Sequence, residues 1–170
     1  MANGALLAED RPLTGAERAL ATAMFGAAID LDPVRIRRRK WWPLQPRGTV
    51  MAPRGHIHFH PRSTCYCACF GTDMAAGQGL FLHEMTHVWQ HQHGINLLLR
   101  RHPFCRYDYA FEPGRPFTRY GIEQQAEIVR HVFLMRRGYA VPGKPPLAVL
   151  EAILPFAPGG PDAGIDRTGR

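Results

Sequence analysis

His83-Glu84-Met85-Thr86-His87 is the segment that decides the fold prediction for this sequence. Two histidines four residues apart on a helix project from the same face, one turn apart, so their imidazoles can bind a single metal ion. The glutamate between them can take a proton from a metal-activated water molecule. The segment therefore predicts a helix that supplies two zinc ligands, His83 and His87, and a general base, Glu84.

Apolar residues around this segment predict the same helix. They recur at spacings of three, four, seven and eight residues, as on one face of an α-helix; they are Leu80, Phe81, Leu82, Met85, Val88 and Trp89. Gly77 and Gly79 lie at the start of the predicted helix, and Gly94 is suited to end it. We expect a helix over residues 78–93 with one buried flank and its histidines facing a cleft. The alternative is a surface helix whose histidines are solvated.

A second predicted helix supplies the third metal ligand. Residues 120–127 open a periodic segment that ends at Gly138; its apolar face comprises Ile122, Ala126, Val129, Val132 and Phe133. Glu123 and Glu127 lie one turn apart. One carboxylate can therefore bind the metal while the other accepts the spare N–H of a ligating histidine. Three protein ligands leave the fourth position of zinc open for water.

The remaining pattern predicts one small α+β domain, in which a sheet with antiparallel pairs packs on these two helices. Thr14-Gly15-Ala16-Glu17 is a capping box that begins a buried helix. Alternating stretches predict strands, and these lie at residues 34–37, 49–51, 56–60 and 64–70. A last short helix is predicted over residues 147–154. The domain is predicted to span residues 1–155, and residues 156–170, rich in Gly, Pro and charge, to form a flexible tail.

Length and composition fit a globular domain. A chain of 170 residues with 45% hydrophobic content can bury a core without disulfide bonds. No run approaches the ~18 apolar residues that a membrane span requires. The apolar stretch 19–29 follows acidic residues and lacks the basic start of a signal peptide. The default expectation is the cytoplasm, although export by a contractile secretion system would leave no such signal.

Three of the four cysteines alternate along one predicted strand. Cys65, Cys67 and Cys69 would share a strand face, and their spacing lacks the C-x-x-C pairs of structural zinc sites. We therefore expect them to be core residues. A second metal site, or a disulfide with Cys105, is the alternative that the sequence leaves open.

Three histidines alternate in the same way. His56, His58 and His60 would share one face of a strand, but steps of ~6–7 Å are too long for all three to bind one ion. We expect them to line the solvent or cleft side. This strand is also our first candidate for an edge that binds an extended peptide by strand addition.

The net charge of +7 concentrates in one basic run, residues 35–40, which is followed by Trp41 and Trp42. Basic residues beside aromatic ones can bind nucleic acid through phosphate contacts and stacking. No nucleic-acid-binding module is visible in the sequence. We therefore favour a solvated strand edge with the tryptophans packed beneath it, and expect no nucleic-acid partner.

The two predicted helices resemble those of gluzincin metallopeptidases. In that family H-E-x-x-H is followed by a second helix bearing E-x-x-x-D, whose Glu is the third zinc ligand. By position Glu123 takes that role, and Glu127 stands where the family has Asp. The sequence also resembles bacterial Vgr-related proteins, zinc peptidases associated with type VI or contractile-injection secretion genes. The stretches that carry this second resemblance are residues 41–46, 55–59, 81–90 and 121–127.

The resemblance implies a zincin-like domain that binds one Zn²⁺ and hydrolyses a peptide or protein substrate. His83, His87 and Glu123 would hold the ion, and Glu84 would pass the proton of water to the departing amine. An oxyanion donor is also needed, and the candidates are Tyr107, Tyr109, Tyr120 and His131. The alternative is a non-catalytic accessory protein in which zinc only joins the two helices and the surface binds a secretion-system component or an effector.

Overall fold

The computed structural model describes residues 9–100 and 106–156. These residues form an α+β domain, as predicted. The α-helices are α1 (Gly15–Phe25), α2 (Ala75–Gln92), α3 (Leu97–Arg100), α4 (Ile122–Arg136) and α5 (Leu147–Glu151). The strands are β1 (Asp10–Pro12), β2 (Arg35–Arg37) and β3 (Ile57–His58), and short 3₁₀ helices occur at Gly26–Ala28, Phe70–Thr72 and Phe117–Arg119.

The sheet is small and mixed, in the order β1-β2-β3. β1 and β2 are antiparallel, whereas β2 and β3 are parallel with Ile36 opposite Ile57. Met51 adds one antiparallel bridge to His58. The predicted antiparallel pairs are therefore confirmed as β1–β2 and as this bridge, whereas β2–β3 is parallel. The long connection over residues 38–56 provides the crossover that a parallel pair requires.

The strand predicted over residues 64–70 is wrong. Two of its backbone N–H groups bond to side chains instead of a neighbouring strand: Phe70 N–H donates to Glu17 Oε1 at 2.9 Å, and Cys65 N–H donates to Ser63 Oγ at 3.2 Å. Without a strand the cysteines do not share one buried face. Cys65, Cys67 and Cys69 are half-buried free thiols. Cys65 and Cys67 pack against the hydrophobic core, so the expectation of core residues is confirmed in part and that of a fully buried strand face is wrong. Cys105 lies outside the described residues.

A buried ion pair connects the sheet to the start of α1. The capping box is confirmed, because Glu17 N–H donates to Thr14 Oγ1 at 3.2 Å and Thr14 N–H donates to Glu17 Oε2 at 2.8 Å. The same carboxylate accepts from Arg11 on β1 at 2.8 and 2.9 Å and from Phe70. Burial would raise the pKa of Glu17, but these donors lower it below its usual value.

Helix α2 runs through the centre of the domain. It begins three residues earlier than predicted and includes Gly77, where a Cβ would overlap the Asp73 carboxylate. All residues from 81 to 90 are buried, so the predicted pattern of a single buried flank is wrong. Helix α4 covers the face on which the histidines lie.

Aromatic rings fill the core around α2. Phe70 stacks between Phe59, after β3, and Phe81 on α2, with ring centroids 5.3 and 5.9 Å apart. Phe156, the first residue of the predicted tail, is buried against Phe25 and Trp89. The remainder of that tail, residues 157–170, lies outside the described residues.

The basic run contacts other parts of the protein. Arg35 and Arg37 both pair with Asp10, at 2.6 and 3.0 Å, and the Arg38 guanidinium lies 5.0 Å from the ring centre of Tyr66. These contacts agree with the interpretation of the run as a strand edge. Trp42, however, is 43% exposed and not packed beneath it. None of the helices in residues 9–100 and 106–156 combines the length and apolar character that a bilayer span requires.

We expect Glu17→Gln to lower the free energy of unfolding by about 3–5 kcal/mol, because it leaves the buried Arg11 charge without its partner. Chemical denaturation followed by circular dichroism measures this. Asp32→Asn is the matched control, since Asp32 pairs with Arg18 at 2.6 Å but is 81% exposed, and exposed pairs contribute at most about 1 kcal/mol. Equal effects of the two substitutions would contradict the structural importance of the buried pair.

Candidate metal centre

Helices α2 and α4 bring together the three predicted ligand residues. The Nε2 atom of His83 lies 3.3 Å from Glu123 Oε2, and the Nε2 atom of His87 lies 3.1 Å from the same oxygen. All three side chains are buried. The surface-helix alternative for these histidines is therefore wrong.

The spacing of these atoms fits a metal ion. Zinc–ligand bonds of about 2.0–2.1 Å in a tetrahedron separate neighbouring ligand atoms by about 3.3 Å. The observed 3.1 and 3.3 Å are close to that separation, and ligand atoms of all three residues lie within 4.8 Å of one another. Two imidazole nitrogens and a carboxylate oxygen could hold one ion.

The charge of this group also favours a cation. Burial on its own would lower the pKa of His83, but the carboxylates of Glu123, Glu127 and Glu84 outweigh burial and raise that pKa to about 9. At neutral pH the His83 imidazole thus retains its proton beside three acidic side chains. A divalent ion bound at His83 would replace the proton and compensate more of the buried negative charge.

Glu127 contacts the other nitrogen of the same imidazole. Its Oε1 lies 2.9 Å from His83 Nδ1, whereas Glu123 approaches Nε2. The two carboxylates that the sequence could not assign therefore lie on opposite sides of the His83 ring. In this arrangement Glu123 faces the ion position, and Glu127 is placed to orient the imidazole.

Gln90 orients His87, a contact that the sequence interpretation missed. Its Oε1 lies 2.8 Å from His87 Nδ1, and its Nε2 donates to Ile122 O and to Gln125 Oε1, each at 2.9 Å. Because both of these partners are acceptors, the amide nitrogen faces them and the oxygen faces His87. His87 must then carry its proton on Nδ1, which leaves Nε2 free to bind a metal. The spacing of three residues between His87 and Gln90 was the available signal.

Glu84 lies at a cleft beside this group. The side chain is buried, and its Oε2 has no hydrogen-bond partner among the described residues. The cleft has a volume of about 220 Å³, and Glu84 and His83 line it together with Tyr107. Glu84 and one of the histidines are therefore accessible from the same opening.

The four candidate oxyanion donors occupy different places. Tyr107 lines the cleft. Tyr109 and His131 contact each other, with the Tyr109 hydroxyl 2.9 Å from His131 Nδ1, and His131 Nε2 lies 3.4 Å from Glu127. The Tyr120 hydroxyl accepts from Glu112 N–H at 3.2 Å. Tyr107 is thus the candidate that shares the cleft with Glu84.

The strand with three histidines is not an open edge. β3 lies between β2 and Met51, whose N–H donates to His58 O at 3.1 Å. His58 and His60 are buried, so the predictions that they face solvent or the cleft and that this strand adds a peptide are both wrong. Residues 48–50 line the cleft instead.

Comparison with solved structures decides the family. The fold matches the effector domain of Pseudomonas aeruginosa VgrG2b with a TM-score of 0.70 and 37% sequence identity, over 86% of this chain and 83% of that domain. The chain belongs to the family of this effector domain. It is also 42% identical over 137 residues to the type VI secretion system spike protein VgrG2b of P. aeruginosa strain PAO1. The matched region covers 76% of this chain.

This VgrG2b-like domain spans only 13% of the length of that spike protein. No protein-family model matches the sequence. The resemblance to Vgr-related secretion proteins that the sequence suggested is thus confirmed by both relatives.

We expect the pH dependence of the metal-stripped protein to follow His83. Its folded-state pKa of about 9 exceeds the ordinary 6.5, so protonation stabilises the fold fully below pH 6.5 and this stabilisation is lost as the pH rises to about 9. The melting temperature should fall over that range, while affinity for Zn²⁺ rises up to about tenfold per pH unit. His58, whose pKa burial lowers to about 4, titrates below this window.

Differential scanning fluorimetry with chelator and calorimetric titration with Zn²⁺ measure the two trends. The His83→Gln variant should lose both. A melting temperature that rises between pH 6.5 and 9 without metal would contradict the assignment.

We expect Gln90→Leu to weaken Zn²⁺ binding about 10- to 100-fold, because His87 loses the acceptor that holds its proton on Nδ1. Competition with a chromophoric chelator measures the affinity, and circular dichroism checks the fold. Gln92→Leu is the matched control, since Gln92 bonds to Asp30 on the exposed side of the same helix. Similar affinities for the two variants would exclude this function of Gln90.

Proposed function

We propose that the domain is a zinc-dependent peptidase of the gluzincin type with a zincin-like fold. The observation that carries the proposal is the buried group His83, His87 and Glu123, which shares a cleft with the acid Glu84. One residue set thus combines nitrogen and oxygen ligands suited to Zn²⁺ with a carboxylate free to exchange protons.

In this proposal His83, His87 and Glu123 hold the ion. Bound Zn²⁺ supplies Lewis-acid activation of water and of the scissile carbonyl. Glu127 and Gln90 keep the two imidazoles in the ligating tautomer, each from the Nδ1 side. Burial excludes bulk water and strengthens these electrostatic contacts.

Glu84 would act as the general base and then the general acid. Its unpartnered Oε2 can accept a proton from the attacking water and return it to the departing amine. Tyr107 is the candidate for stabilising the oxyanion, because its side chain lines the same cleft and is 49% exposed. The substrate is a peptide or protein that enters through this opening.

The family relationship supports a place in type VI secretion. The solved relative is named an effector domain, and the curated relative a spike protein. We infer that this chain is likewise delivered by, or associated with, a type VI secretion system, and that a protein of that system is its partner.

A second candidate is a non-catalytic accessory protein, and the same names favour it because they state an effector without an enzyme class. The two functions differ in the fourth metal position. A structural zinc site closes that position with a protein ligand. Within residues 9–100 and 106–156 the group that could hold a metal ion has three members. Three protein ligands would leave the fourth position for water, which supports the peptidase proposal.

We expect Glu84→Gln to reduce hydrolysis of a peptide library at least about 100-fold, because the amide cannot take the proton. Zinc content measured by atomic spectroscopy should remain one ion per chain. Glu112→Gln is the matched control, since Glu112 is an exposed acid paired with Arg115 and lies outside the cleft that holds Glu84. Undiminished cleavage by the Glu84 variant would exclude this mechanism; bound zinc with no cleavage by the wild type would favour the accessory protein.

A further inference from the structure

Arg130 is a cation at the cleft that the proposed mechanism does not use. Its side chain lines the cleft together with His83 and Glu84. The stem crosses α2 at Gly79, where an added Cβ would lie 3.3 Å from Arg130 Cγ and 3.5 Å from its Nε. The absence of a side chain at Gly79 thus provides the space for this arginine.

Arg130 is only partly buried where it lines the cleft. Nε is buried without a hydrogen-bond partner in the described part of the chain, yet the side chain as a whole is 37% exposed. Among the described residues that line this cleft, Arg130 is the one arginine or lysine.

The existing partner of this guanidinium is a weak one. Arg130 Nη1 lies 3.4 Å from Glu127 Oε1, which is longer than the 2.7–2.9 Å typical of a strong charge-assisted hydrogen bond. The same oxygen lies 2.9 Å from His83 Nδ1, and the other oxygen of Glu127 lies 3.4 Å from His131. Glu127 is therefore shared among three groups, and Arg130 retains donors for an incoming acceptor.

The position of Arg130 favours a carboxylate as that acceptor, and the charge of the site permits it. Arg130 contacts Glu127, which contacts His83, so a group bound by Arg130 lies beside the proposed metal position. With Zn²⁺ bound, the ion and Arg130 together balance the three acids Glu84, Glu123 and Glu127. A substrate carboxylate then meets no net negative charge.

We propose that Arg130 is a specificity-determining residue that binds a substrate carboxylate beside the scissile bond, contributed by an acidic side chain or by a free C-terminus. The inference rests on the proposed peptidase function. A guanidinium suits this task because its planar donors match the two oxygens of a carboxylate. Gly79 leaves room for the stem of the arginine.

Paired peptides test the proposal. From a peptide that the zinc-loaded protein cleaves, one pair carries Glu or Gln next to the cleaved bond with an amidated C-terminus. A second pair carries neutral side chains and ends one residue beyond the bond as a free carboxylate or an amide. We expect kcat/KM to favour the carboxylate member of at least one pair about tenfold, the effect of one charge-assisted hydrogen bond. The pair that shows the preference identifies the source of the carboxylate.

The Arg130→Gln variant should lower that ratio to about one. Arg137→Gln is the matched control, because Arg137 follows α4, is exposed and packs on Phe133 away from the cleft, and it should retain the ratio. A wild-type protein without any preference would overturn the proposal. So would an equal loss for both members of each pair in Arg130→Gln, which would indicate that Arg130 acts only through Glu127.

Binding separates this inference from the peptidase proposal. Fluorescence anisotropy uses labelled peptides that differ only in one carboxylate, as Glu against Gln or as a free against an amidated C-terminus. With the zinc-loaded Glu84→Gln protein it requires neither hydrolysis nor a known cleavage site. We expect the carboxylate peptide to bind about tenfold more weakly when Arg130→Gln is added. If wild-type protein cleaves nothing while this difference persists, the peptidase function fails and the carboxylate site stands. Equal binding of carboxylate and amide peptides would overturn the site itself.

Discussion

The buried contact between two imidazoles and a carboxylate, where α2 packs on α4, is the constraint on which the rest of the structure depends. Ionisable groups are costly to bury unless each one has a partner. His83 and His87 meet Glu123 at 3.3 and 3.1 Å, so the charged faces of the helices satisfy each other. This explains why α2 is buried on all sides although its apolar stripe covers only one of them.

Two chains of polar contacts extend from this contact, and they differ in charge. From His87 the chain is neutral, through Gln90 and Gln125 to the Tyr120 carbonyl. From His83 it is acidic, through Glu127 to His131. The Nδ1 atom of His83 thus faces a carboxylate, whereas that of His87 faces an amide oxygen. The acidic chain is also the one next to the cleft, where Arg130 lies.

Prediction of the fold succeeded where the signal was local. The capping box at Thr14 and the two long helices depend on contacts three and four residues apart, which the sequence shows directly. Strands of two or three residues carry no such period, so β1 was not predicted and the parallel pairing of β3 was missed. The segment 64–70 alternates like a strand, but the buried Glu17 takes one of its N–H groups.

The same division applies to the site. By itself the sequence determined the register of His83, Glu84 and His87 and the one-turn spacing of Glu123 and Glu127, because helical periodicity sets both. Only the tertiary structure decided which carboxylate faces Nε2 and which faces Nδ1, since that depends on how α4 lies across α2. It also decided the positions of Gln90 and Arg130, whose partners and cleft are formed by the packing of one helix against the other.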